Sequence, residues 1–188
     1  RSRLCTAILA KADGVAPPSE PPARVFDTFK LGQGEVQLVA FEMKPVPEGK
    51  RAILAMDVRL DTERPAGFTS AMRVTVNDKP VTMVMLANKP ARVKARGGDV
   101  YSTGGGNVFN VFYAPDYTSV DADPHYGLLD GIKACSFEWD VTDLACSGVN
   151  TLLVENVTPA SVTNPLIAAN GCVLFRVPPA ATALAWPR

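Results

Sequence analysis

The run ILAMDVRLD (residues 53–61) puts Leu54, Met56, Val58 and Leu60 on one side of an extended chain and Ala55, Asp57, Arg59 and Asp61 on the other. That alternation is what a strand buried on one face requires. It recurs in MRVTVNDKPVTMVM, where Met72, Val74 and Val76 share a side, Asn77-Asp78 interrupts, and Val81, Met83 and Met85 resume. Asn and Asp tolerate positive φ, so Asn77-Asp78 is predicted to turn a tight hairpin with a strand on either side. Further strands are predicted at 36–43, 107–113, 135–141, 151–157 and 172–177. No comparably long stretch carries a helical period, and most of the 16 prolines and 14 glycines fall between these runs. The expected fold is an all-β antiparallel sandwich of about eight strands.

A chain of 188 residues suits one domain. Residues 1–24 are predicted to be an arm, because Pro17, Pro18, Pro21 and Pro22 fall there without periodicity. The sandwich is expected over 25–178, with a tail at 179–188 that ends in AWPR. The opening RSRLCTAILAKADG has a short apolar run broken by Lys11 and starts with Arg, so the chain is read as a mature form or an excised fragment. Nineteen acids balance nineteen bases. Such a chain lacks the overall field that draws nucleic acid, and no apolar run reaches the ~20 residues that span a bilayer.

Cys5, Cys135, Cys146 and Cys172 have no CxxC or Cys/His spacing, which argues against zinc. Two readings stay open: a Cys135–Cys172 disulfide between two strand starts, or four buried free thiols. A Cys135–Cys146 bridge is disfavoured, since a strand leaving 135 carries the chain beyond the ~7 Å that a disulfide allows. Asn156-Val157-Thr158 is a glycosylation sequon, relevant in a eukaryotic secretory pathway.

The stretch SFEWDVTDLACSGVNTLLVENV (136–157) reads as strand, corner, strand. Phe137, Trp139 and Val141 alternate inward. Asp140 or Thr142 is placed to cap a single turn, Leu144 to close the core, and Gly148 to end the turn in the left-handed region. The pattern of Phe137, Asp140, Val141, Thr142, Leu144, Gly148, Asn150, Thr151 and Leu152 resembles the galactose-binding-like β-sandwich domains, jelly-roll modules of glycoside hydrolases and carbohydrate-binding modules. RVTVNDKPV (73–81) resembles that family's hairpin, with Asp78 where Gly is usual, and FEMKPVPEGKRAILAMDVRLD resembles its earlier strand pair. The resemblance spans roughly residues 26–177 and rests on architectural positions. It implies a galactose-binding-like jelly roll, an accessory or carbohydrate-binding role, an extracellular or periplasmic setting, and structural calcium.

Chemistry-bearing motifs are sparse. His125 is the one histidine, and no G-x-S-x-G elbow accompanies it, so a catalytic triad is not expected. Asp57 with Asp61, and Glu138 with Asp140, are carboxylate pairs read first as solvated strand faces. The glycine clusters in RGGDVYSTGGGNVFNVFY lack the Lys-Ser/Thr and helix of a phosphate loop, and Gly104–Gly106 is read as a flexible loop.

The remaining candidate is the strand-free segment 113–131, YAPDYTSVDADPHYGLLDG. Tyr117, His125 and Tyr126 offer flat apolar faces, while Asp116, Asp121, Asp123 and Asp130 offer acceptors, the mixture a pyranose needs. Asp121 and Asp123 are also calcium ligand types, without the spacing of an EF-hand. Three readings stand for this segment: a solvated or interface loop, a sugar contact, or a metal site. Tyr101, Asn107 and Trp186 are further site candidates. The expected partner is accordingly a carbohydrate bound without catalysis, or a neighbouring protein domain if the sandwich serves assembly.

Overall fold

The computed structural model describes residues 22–61, 70–94, 100–111, 135–159 and 165–178. The alternating runs form the expected extended segments. They are β1 (Ala23–Leu31), β2 (Val36–Met43), β3 (Arg51–Leu60), β4 (Ser70–Val76), β5 (Lys79–Pro80), β6 (Arg92–Lys94), β7 (Val100–Ser102), β8 (Gly104–Gly105), β9 (Val108–Val111), β10 (Ser136–Asp140), β11 (Gly148–Asn156) and β12 (Leu166–Arg176). One sheet has the order β1-β12-β3-β10, and a second has β2-β11-β4-β9-β8 with β5 beside β4. β6 and β7 form a separate ribbon, and every pairing is antiparallel. β1 starts at Ala23, two residues before the expected boundary, and was not foreseen as a strand. No helix among the described residues is long and apolar enough to cross a membrane.

The two large sheets bury their apolar faces against each other, as a β-sandwich does. Leu54, Met56, Val58 and Leu60 of β3 share one core with Met72, Val74 and Val76 of β4 and with Leu152 and Val154 of β11. Burying side chains of this size contributes roughly 1.5–3 kcal/mol each, which makes the alternation decisive for the fold. The centre is aromatic. Trp139 stacks on Phe137 at 5.4 Å between ring centroids and meets Phe109 edge-on at 5.1 Å.

The corner after β10 forms as its residues dictate. Asp140 Oδ1 accepts from the Thr142 backbone N–H (3.1 Å) and hydroxyl (2.6 Å), and Thr142 Oγ1 accepts from Ala52 N (2.9 Å). Gly148 sits at φ +95°, and Leu144 packs against the core. Asn150 is buried: Oδ1 accepts from Cys146 N, and Nδ2 donates to the Cys146 and Gly148 carbonyls. Asn77, at φ +49° in the predicted hairpin turn beside Asp78 at +62°, donates to Asn150 Oδ1 (2.7 Å) and to the Leu144 carbonyl (3.0 Å). The corner and the β4–β5 hairpin, distant in sequence, are thus one hydrogen-bonded unit.

Two expectations fail locally. The strand predicted through Val81, Met83 and Met85 stops at Pro80, and Met83–Met85 is a short 3-10 turn. Proline donates nothing to a ladder, and the chain instead leaves the sheet to run along β10. Gly104–Gly106 is not an open loop, because Gly104 and Gly105 pair with Phe109 and Val108 in a tight hairpin. Gly104 sits at φ +152°, and a Cβ there would lie 2.3 Å from the Val108 carbonyl oxygen and 2.8 Å from Met83 Sδ. Gly104→Ala is expected to cost about 2–4 kcal/mol in urea unfolding, and a loss under about 0.5 kcal/mol would mean that the hairpin is not formed as described.

Candidate functional site

Strand register collects four charged side chains on the outer face of the first sheet. Across β10 and β3, Glu138 stands opposite Ala55 and Asp140 opposite Ile53. Across β12 and β3, Cys172 stands opposite Ala55, Leu174 opposite Ile53, and Arg176 opposite Arg51. The Arg176 side chain crosses β3 diagonally on this face. Its guanidinium donates to both oxygens of Glu138, at 2.5 and 2.9 Å. This fork-to-carboxylate bond raises the Arg176 pKa above its ordinary value. Arg51 Nε lies 3.9 Å from Asp140 Oδ2, whose other oxygen holds Thr142.

These four groups rim a cleft of about 180 Å³ floored by Ile53, Ala87, Val177 and Pro178. That is below the ~300–1,000 Å³ of drug-sized sites, so the cleft takes one small ring or one chain end. Its wall is stiff. Leu86 bridges to Trp139, Ala87 N donates to the Glu138 carbonyl at 2.7 Å, and Asn88 brackets β10. Asn88 Nδ2 donates to the Ser136 carbonyl and its Oδ1 accepts from Glu138 N. An asparagine side chain therefore imitates a neighbouring strand and closes the β10 edge. Cys172 shares this outer face, and partial burial holds its thiol above the usual range.

Most of the residues expected to form a site are not among the described ones. Tyr117, Asp121, Asp123, His125 and Tyr126, with Asp116 and Asp130, lie outside the described residues, as do Trp186 and the Tyr101 side chain. Asn107 sits in the β8–β9 turn. Among the described residues no group of three acids, cysteines or histidines could hold a metal ion. Asp61 pairs with Lys30 at 2.9 Å, and Asp57 accepts from Asn170 at 2.9 Å, so this carboxylate pair serves the surface. The sequence marked Glu138 and Asp140 but not Arg51 or Arg176. Their only signal is a polar position on alternating strands, and nothing in it states which strands are neighbours.

Two expectations are corrected. Cys135 and Cys172 do not form a disulfide with each other. β3 lies between their strands, and Cys135 is buried with Phe137 and Trp139 while Cys172 faces outward. A disulfide needs Cα atoms within ~7 Å, and two sheet spacings already exceed that. Asn156 is fully buried, donating to the Leu31 carbonyl at 3.0 Å and accepting from Thr158 N, so the folded chain presents no amide for glycosylation.

A second polar cluster is internal. Lys89 is 6% exposed, with Nζ 3.7 Å from the centroid of the Phe137 ring. Burial lowers its pKa to about 7 and raises that of Cys135 to about 12.

No family model matches the chain, and no curated protein matches it.

Proposed function

We propose that the chain is a non-catalytic, galactose-binding-like jelly-roll module that binds carbohydrate, with the outer-face cleft as a contact surface. The pairing of the long strands carries the jelly-roll part of this reading. β1 pairs with β12, β2 with β11, β3 with β10, and β4 with β9. These are the nested partners obtained when one long eight-stranded hairpin is rolled into two sheets, which is how a jelly roll is wound.

The cleft supports the ligand class. Paired carboxylates and guanidiniums present donors and acceptors in fixed planes, suited to vicinal hydroxyls, and the apolar floor suits a ring C–H face. A binding role is favoured over hydrolysis because both acids are already committed. Glu138 is gripped by Arg176, and Asp140 holds the corner. Tyr117 and Tyr126 of the 113–131 segment would supply stacking faces, with His125, Asp121 and Asp123 as polar contacts. Calcium at Asp121 and Asp123 and an extracellular or periplasmic setting belong to the same reading.

Calorimetric titration and a glycan array, with calcium present, test it. Single-site affinities on the order of micromolar to millimolar are expected. Arg176→Ala and Tyr117→Ala should each weaken binding at least tenfold while the unfolding transition stays cooperative. Silence across a broad glycan set would remove the sugar reading.

A further inference from the structure

We propose that residues 4–10 of one copy of this chain add a strand to the free edge of β2 in a second copy, giving head-to-tail assembly. The surface is separate from the cleft, and the inference does not depend on sugar binding.

β2 is the outermost strand of its sheet, and among the described residues nothing pairs with its outer edge. Asn156 N donates to the Glu35 carbonyl at 3.0 Å, which fixes the side of the chain that faces β11. Alternation then turns the backbone N–H and C=O of Val36, Leu38, Ala40 and Glu42 away from β11. Gln37 Nε2 reaches back to the Leu38 carbonyl at 3.0 Å, as an outward-facing acceptor allows. The solvent face beside this edge carries exposed apolar side chains, Val36 at 51%, Leu38 at 60% and, on β11, Val149 at 65%, with Glu42 and Glu155 between them. Long, regular, apolar edges are templates for an added strand.

The occupant is argued from the chain itself. LCTAILA (4–10) has no charge and no proline, a composition that suits an added strand. It is joined to the sandwich through residues 11–21, and Pro22 lines a cavity of about 370 Å³ with Glu42, Met43 and Lys44. The arm therefore leaves the body beside the last residues of β2. In sequence, Pro17, Pro18 and Pro21 lead up to Pro22. Proline-rich chain is stiff and extended at ~3.1 Å per residue, so these prolines favour carrying 4–10 roughly 20 Å off the body over reversing onto its own β2. A neighbouring copy's edge is the surface of the right chemistry.

Sedimentation of the full chain over 1–200 µM provides the test. A concentration-dependent series of dimer, trimer and longer species is expected. Ala40→Pro removes an outward N–H without touching a ladder bond, and Ile8→Asp lies outside the sandwich, so both should sediment as monomers with cooperative unfolding. Mixed, the two variants should restore a dimer, because one retains its arm and the other its edge. A wild-type chain that stays monomeric at every concentration would overturn the proposal, as would a dimer that survives Ile8→Asp, the signature of β2 pairing with itself. Monomers in which Ile8→Asp lowers the unfolding midpoint would show the segment docking on its own body, and would overturn it too.

Discussion

Trp139→Ala is expected to lose about 3–5 kcal/mol of stability, the range for emptying a large aromatic site in a packed core. The side chain is fully buried and lies between Phe137 and Phe109, so little can collapse into the space it leaves. Leu86 bridges to its backbone, and the cleft wall is hung on the same strand. The indole N–H finds no acceptor among the described residues, a buried donor that costs about 1–3 kcal/mol. Trp139→Phe should therefore lose much less than Trp139→Ala, since it removes that penalty with part of the ring. Urea unfolding of both variants measures the difference. A loss under about 1 kcal/mol for alanine would show that β10 has its faces reversed.

Stability should rise between pH 7 and pH 9, hold level to about pH 10.5 and fall beyond it. Unfolded, Lys89 takes up its proton near 10.5, whereas burial delays this to about 7 in the folded chain. Between those values the unfolded state binds more protons, so stability increases with pH, by up to about 1.4 kcal/mol per unit. Cys135 acts in the opposite sense. Its thiol ionises near 9.0 when unfolded and near 12 when folded, so stability falls as pH climbs past 9. The slopes offset each other from there to about 10.5, after which only the fall remains. The net gain from pH 7 to 9 is about 2–3 kcal/mol. Lys89→Met keeps the volume and removes the ammonium, so it should be more stable than wild type at pH 7 and lose the rise. An unchanged rise in that variant would place the titration elsewhere.

Local order was legible along the chain because it depends on neighbours in sequence. Alternation fixed which residues of β3, β4 and β10 face inward, since a strand repeats every second residue whatever it packs on. Asn77-Asp78 announced a turn because few residues accept positive φ. The limits of β2 were readable for the same reason. Expectations failed where a distant partner decided the outcome. After Pro80 the alternation through Met83 and Met85 continues, yet the chain is drawn off to close the β10 edge through Asn88. The three glycines at 104–106 suggest freedom, but β9 and Met83 leave room there for no side chain on Gly104.

The cleft divides along the same line. Sequence alone determined that this chain makes antiparallel strands with a sharp corner after Asp140, because sterics and side-chain capping act over a few residues. Only the tertiary structure decided that Arg176 reaches Glu138 across β3, that β3 separates Cys135 from Cys172, and that Asn156 is interior. Those outcomes depend on which strand lies beside which. That choice is made by the packing of two whole sheets, and no short stretch of residues records it.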